Sequence, residues 1–238
     1  MVSVDGSVAT SLKRRLALAV LMVLACGLLS APSYAGRLIA TPAAPTLPEG
    51  KYSLWQFLIL ETKTTDNVRL LNRIDVGLTE RLEAGVFVIN PPNKPTDTWL
   101  NLQFKVLDEG EQRPVVSVGV WDATEIKEFC GGEKDASFFI AAGKTLRPTV
   151  GSWKPPYLKP TIAVGTNRLN GLFGGFDLRI CENTGILAEY APSNLRLPRG
   201  TWLDAGVYHW FGPHWRGRVS YLGGNPMADF FYTHTIGK

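Results

Sequence analysis

The feature that most constrains this chain is an alternation of apolar and polar side chains that restarts repeatedly along it. Across residues 98–106, Leu100, Leu102, Phe104 and Val106 hold one parity, while Trp99, Asn101, Gln103 and Lys105 hold the other. Successive side chains of a strand point to opposite faces, so such a segment has one greasy face and one polar face. Stretches of this kind, about nine to eleven residues long, recur between clusters of Gly, Asn, Asp and Pro, and that length crosses a bilayer when the strand is tilted.

Candidate strands fall at residues 52–61, 68–78, 82–90, 98–107, 114–123, 136–144, 158–166, 172–181, 185–190, 201–210, 215–222 and 227–235. An even count returns both ends of a barrel to one side of the membrane. The connections at 79–81, 182–184 and 212–214 are tight, those at 91–97 and 124–135 are longer, and the two groups lie at opposite ends of the trace. Short turns on one side and longer loops on the other are usual for outer-membrane barrels. The stretch 145–157 is long on the short side and has room for a further strand or a plug-like segment. The expected fold is all-β: a single antiparallel up-and-down transmembrane β-barrel of about twelve strands, following an N-terminal signal peptide. Its parts are the signal at 1–35, an extended lead-in at 36–50 and the barrel at 51–238.

Lys13, Arg14 and Arg15 precede an apolar run at 16–29, and Ser33 and Ala35 supply small residues before a cut at Gly36. That order is the order of a cleavable secretory signal. A cut before Cys26 competes with it, because Val23-Leu24-Ala25-Cys26 resembles a lipoprotein signal; a retained membrane helix is the third reading. Loss of residues 1–35 removes Lys13, Arg14, Arg15 and Asp5, so the formal net charge of +4 falls to +2. No basic cluster remains that could neutralise a run of phosphates, which argues against a nucleic-acid partner. Residues 40–48, rich in Pro and Ala, read as an extended lead-in to the first strand. Cys130 and Cys181 fall near opposite rims of the trace, too far apart for a disulfide.

The alternation assigns Arg69, Arg73, Asp75, Asn101, Gln103, Lys105, Asp177, Arg179, Glu189, Asp204, Arg216 and Arg218 to the lumen. Two outcomes stand open. Arginine–carboxylate pairs would fill a closed interior. A water-filled passage would instead present arginines to anionic or hydroxyl-rich solutes.

Trp55, Trp99, Trp121, Trp153, Trp202, Trp210 and Trp215, with Tyr190, Tyr208, Tyr221 and Tyr232, lie mostly near strand ends and suggest an interfacial girdle. Sugar-stacking platforms are the alternative use of the same rings. The three histidines, His209, His214 and His234, match no metal-ligand spacing. No Gly-x-Ser-x-Gly motif occurs, and the acids Asp108, Glu109 and Glu111, like Glu125, Glu128, Glu133 and Asp135, cluster in loops. The glycines of Gly171-Leu172-Phe173-Gly174-Gly175 precede no helix and form no phosphate loop. No catalytic residue, metal or cofactor is expected.

The run Arg73-Ile74-Asp75-Val76-Gly77-Leu78-Thr79-Glu80-Arg81-Leu82-Glu83-Ala84-Gly85-Val86 resembles a strand–turn–strand signature of exported bacterial barrels. With Phe104-Lys105-Val106-Leu107, Pro114-Val115-Val116-Ser117-Val118-Gly119-Val120-Trp121-Asp122, Thr161-Ile162-Ala163-Val164-Gly165-Thr166, Leu172-Phe173-Gly174-Gly175-Phe176 and Leu187-Ala188-Glu189-Tyr190, the series across residues 68–222 resembles the YjbH-type family of outer-membrane proteins, in a short single-barrel form. The resemblance implies an outer-membrane barrel associated with exopolysaccharide production or export, without an enzymatic reaction. The implied partners are outer-membrane lipid, the outer-membrane assembly machinery, and polysaccharide or export proteins. Phe230, Phe231 and Tyr232 would serve as the aromatic assembly signal near the end of the chain.

The leading expectation is therefore a non-enzymatic barrel of the bacterial outer membrane, acting as a narrow conduit or a structural component. A soluble or lipid-anchored periplasmic barrel binding a small ligand is the alternative, and would invert the two faces. An outer-membrane enzyme is the third.

Overall fold

The computed structural model describes residues 38–39, 41–61, 67–90, 96–123, 136–149, 151–191 and 203–236. The signal-like segment, Cys130, Trp202 and the acids Glu125, Glu128, Glu133 and Asp135 lie outside the described residues.

Twelve strands form in chain order: β1 (Lys51–Glu61), β2 (Asn67–Gly77), β3 (Leu82–Asn90), β4 (Asp97–Leu107), β5 (Val115–Trp121), β6 (Ser137–Gly143), β7 (Tyr157–Gly165), β8 (Gly171–Arg179), β9 (Thr184–Tyr190), β10 (Leu203–Trp210), β11 (Trp215–Leu222) and β12 (Asn225–Thr235). Each pairs antiparallel with its neighbours in sequence, and β12 pairs with β1 from Thr235↔Lys51 to Met227↔Ile59, closing the barrel. Closure removes the exposed edges that an open sheet of this length would present. Among the described residues the ladders shift register once, between Lys105 and Leu107, where β4 meets β5.

The end at which β1 begins and β12 finishes, called here the terminal rim, carries the connections at 78–81, 108–114, 144–156, 180–183 and 211–214. The opposite rim carries 62–66, 91–96, 122–136, 166–170, 191–202 and the two-residue turn Gly223-Gly224. Those two glycines have φ of 56° and 84°, the left-handed values that the tightest hairpin turn requires at both positions. Among its described residues the stretch 144–156 holds no further strand. Leu146 and Leu158 exchange backbone hydrogen bonds of 2.8 and 2.9 Å, and Glu109 accepts from the Thr145 amide at 2.6 Å. The long connection is thus tied down over the 108–114 turn rather than inserted into the barrel.

Burial alternates along the strands. In β4 the buried residues are Trp99, Asn101 and Gln103, and the exposed ones Leu100, Leu102, Phe104 and Val106. No Asp, Glu, Lys or Arg stands at an outward position of any strand, while Arg73, Asp75, Glu83, Arg179, Glu189, Asp204, Arg216, Arg218 and Asp229 are all buried within the barrel. The outer face of the wall is therefore apolar, and the charged side chains of the strands stand on its inner face.

The aromatic girdle is smaller than the sequence suggests. Trp55, Trp99, Trp121, Tyr208 and Trp210 are buried in the interior. The reason is parity: Trp99 shares a face with Asn101 and Gln103, Trp55 with Ser53, Trp121 with Ser117, and Tyr208 and Trp210 with Asp204. Inside, Trp55, Phe57, Phe87, Trp99 and Trp121 form an arc of rings with successive centroids 5.4–6.3 Å apart. The outward tryptophan and tyrosine rings of the strands are Tyr52, Trp215 and Tyr232 at the terminal rim, and Tyr190 and Tyr221 toward the other. Phe231 also points inward and is fully buried, which leaves Phe230 and Tyr232 on the outer face of β12.

Candidate functional site

The interior of the barrel is the candidate site, and it is occupied by the chain itself. From β1 the backbone runs back into the lumen: Leu38, Ile39, Thr41, Ala43, Ala44, Thr46 and Leu47 are all buried. At the terminal rim the Glu83 carboxylate accepts from the Leu47 amide at 2.8 Å. Deeper in, the Gln103 amide donates to the carbonyls of Ala43 at 2.8 Å and Ala44 at 3.2 Å, and the Ser117 hydroxyl also donates to Ala44. Beyond them, one oxygen of Glu189 accepts from the amides of Ile39 at 2.9 Å and Thr41 at 3.1 Å and from the Thr41 hydroxyl at 2.9 Å. Arg218 reaches the Leu38 carbonyl at 3.3 Å. A strand-less segment with buried backbone must find partners for its peptide groups, and these side chains supply them. Gly77 marks a close approach of the segment to the wall, since a Cβ there would stand 2.0 Å from the Pro48 carbonyl oxygen. Residues 41–48, part of the stretch 40–48 read from sequence as a lead-in, thus belong to a lumen plug.

The twelve polar residues assigned to the lumen share the inward parity, but they do not converge. Arg73 and Asp75 pair at 2.7 Å between Nε and Oδ1. Arg218 pairs with Asp229, both fully buried. Asp177 accepts from the hydroxyls of Tyr208 at 2.7 Å and Tyr157 at 3.2 Å. Asp204 accepts from the Gly223 amide at 2.7 Å and fixes the β11–β12 turn. Arg216 is packed among rings, its guanidinium carbon 4.8 Å from the Trp55 centroid, 4.9 Å from Phe231 and 5.3 Å from Tyr208. Arg179 lies 5.7 Å over Tyr157. Asn101 accepts from the Asp122 amide at 3.2 Å. Arg69 sits on β2 toward the opposite rim, and Lys105, at the terminal end of β4, bonds Asp108 at 2.9 Å.

Sequence reasoning missed Glu83, Asp122, Arg168, Asp229, Tyr157 and Lys159. Glu83 and Asp229 were legible by parity, since they alternate with Ala84 and Ala228 on the outer face. Asp122 has a left-handed φ of 59° and meets Arg168 at 2.5 Å, with that guanidinium 4.6 Å over Trp99. These two residues come from connections rather than strands, so periodicity could not have placed them.

An interior cavity of about 30 Å³ is lined by Ile39, Trp55, Ile59, Leu71, Trp99 and Met227, among others. It has room for a water or two but not for a solute. A larger depression, about 510 Å³, opens on the outer face of β4–β7 between Phe104, Val118, Val120, Phe138, Ile140 and Val164.

The rims carry the remaining polar chemistry. Arg81 and Lys105 each approach Asp108 at 2.9 Å. The hydrogen bond from Lys105, reinforced by the charges of Lys105, Arg81 and Arg113, holds the Asp108 carboxyl below the usual aspartate range. Cys181, exposed in the β8–β9 turn, has its thiol lowered by hydrogen bonds from the Thr184 side chain and the Asn183 and Thr184 backbone. His209 bonds the Thr184 hydroxyl at 2.8 Å, and His214 bonds the Thr233 carbonyl oxygen at 2.9 Å while its ring lies 5.0 Å from that of His234. His209 and His234 stand at outward positions of β10 and β12, and His214 in the turn between β10 and β11. Among the described residues no group of three or more His, Cys, Asp or Glu is arranged to hold a metal ion.

The chain matches no protein-family model, and no curated protein matches it by sequence.

Proposed function

We propose that this protein is a non-enzymatic barrel of the bacterial outer membrane, exported by a cleavable signal, whose lumen is closed by its own N-terminal segment. One observation carries the reading: the outward positions of all twelve strands are free of Asp, Glu, Lys and Arg, while the charged residues of those strands lie on the inward parity. Charged groups on a hydrocarbon-facing surface cost about 2–4 kcal/mol each for Lys or Arg at mid-depth, so a membrane selects against them. A soluble barrel selects for the opposite distribution, which disfavours the ligand-binding periplasmic alternative. Outward tyrosines and tryptophan toward both rims fit the two headgroup layers.

Within the envelope, the reading is a structural component or gated conduit in exopolysaccharide export. Its support is the ordered resemblance of residues 68–222 to the YjbH-type proteins, whose blocks fall on β2 to β5 and β7 to β9 of this barrel. The partners of that role are outer-membrane lipid, the assembly machinery, and polysaccharide or export proteins. The plug favours a structural or gated role over an open pore.

Fractionation of cells, followed by planar-bilayer recording of the purified protein, tests the proposal. The expected result is an outer-membrane, detergent-requiring, heat-modifiable protein without stepwise conductance. Recovery in the soluble periplasmic fraction overturns it.

A further inference from the structure

Two carboxamides interrupt the apolar belt at its middle. Gln56 is the sixth of eleven residues in β1 and Asn72 the sixth of eleven in β2; they are direct register partners, and both point outward. Gln56 Nε2 donates to Asn72 Oδ1 at 3.2 Å. The other outward polar side chains lie nearer the rims: Asn90 and Thr98 at one, Thr184, His209 and His234 at the other. Around the pair the surface is apolar, with Leu54, Leu58, Leu70, Ile74, Val88 and Phe230 flanking it.

The single bond between the two amides uses one donor and one acceptor. Gln56 Oε1, the second Gln56 N–H and both Asn72 N–H groups still require partners, and hydrocarbon supplies none. From this geometry we propose that the β12–β1–β2–β3 face is the contact between two copies of this chain, related by a two-fold axis along the membrane normal. The inference rests on the membrane reading above.

The argument for a second copy is self-complementarity. A two-fold rotation about the membrane normal places Gln56 opposite the partner's Asn72 and Asn72 opposite the partner's Gln56. Direct register, at a strand tilt of about 40°, keeps the two residues within about 3 Å of one depth, inside the reach of both side chains. Each Gln56 Oε1 then accepts from the facing Asn72 amide, and the bond forms twice. The flanking aliphatic residues close the contact against lipid. An isologous interface of this form needs one patch only, and the patch is present.

The test is single-molecule photobleaching in dilute lipid vesicles. Full-length mature protein in a Cys130→Ser background is labelled at Cys181, which is exposed in the β8–β9 turn, away from β1 and β2. Wild type should bleach in two steps. The swap Gln56→Asn with Asn72→Gln, which preserves both amides, should do the same. Gln56→Leu with Asn72→Leu makes the belt wholly apolar, so it should remain inserted yet shift the dimer equilibrium at least tenfold toward single steps. Single-step bleaching of wild type at every density, or an unchanged dimer fraction in the double-leucine variant, overturns the dimer while leaving the membrane reading intact. Failure of wild type to partition into vesicles overturns both.

Discussion

Replacing Glu189 by Ala should release the plug. One carboxylate oxygen accepts three hydrogen bonds from Ile39 and Thr41, at 2.9, 3.1 and 2.9 Å. Hydrogen bonds to a charged acceptor contribute about 1.5–3 kcal/mol each, and the low end applies because a single oxygen is shared, giving about 4.5 kcal/mol for the set. At 1.4 kcal/mol per decade, the population with the inner end of the segment detached should rise about a thousandfold. The consequence for the lumen follows from barrel size. Twelve strands about 4.8 Å apart and tilted about 40° give a backbone radius of about 12 Å. Inward side chains take up about half of that radius, leaving a column roughly the width of one extended chain. The assay is amide hydrogen exchange at Ile39 and Thr41, read beside bilayer conductance. Exchange should quicken by about three orders of magnitude and intermittent conductance should appear, with Glu189→Gln between the two because it keeps an acceptor. Unchanged exchange at both amides and a silent bilayer would refute the reasoning that Glu189 anchors the plug.

Two further outcomes follow from the interior and the rim. Arg218→Met leaves Asp229 charged, buried and unpaired, and should cost about 3–5 kcal/mol in denaturant unfolding from detergent; the double change with Asp229→Leu should recover most of it, because a buried pair is worth little against a well-packed apolar one. Cys181 should alkylate faster at neutral pH than an ordinary thiol, since its lowered pKa increases the thiolate fraction, and Thr184→Val should slow it; equal rates before and after would remove Thr184 as the cause.

The wall of the barrel was legible because its information is local. In β4, five outward residues and their inward partners alternate within a single segment, and the bounds of β3 and β11 agree with the sequence reading residue for residue. β12 begins at Asn225, two residues before the expected start at 227, and Pro226 tolerates its place as the second residue after a glycine hairpin. The plug was not legible. Residues 40–48 carry no alternation, and their anchors lie far along the chain: Leu47 and Glu83 are 36 residues apart, Ile39 and Glu189 150. The inner tryptophans were misassigned for a different reason. Amphipathic rings near strand ends fit a girdle in general, yet the parity of Trp99 with Asn101 and Gln103 already placed it inside, and that local evidence outranked the general habit.

The measurement that tests the central claim most directly is a comparison of spin labels at adjacent residues. Cysteines placed at Leu102 and at Gln103, in a Cys130→Ser, Cys181→Ser background, carry the label on opposite faces of β4. In native membranes the label at Leu102 should be relaxed strongly by dissolved oxygen and weakly by a water-soluble nickel chelate, as lipid contact requires. The label at Gln103 should be immobile and shielded from both, packed against the plug. A label at Leu102 relaxed mainly by the nickel chelate would place that face in water and contradict the account.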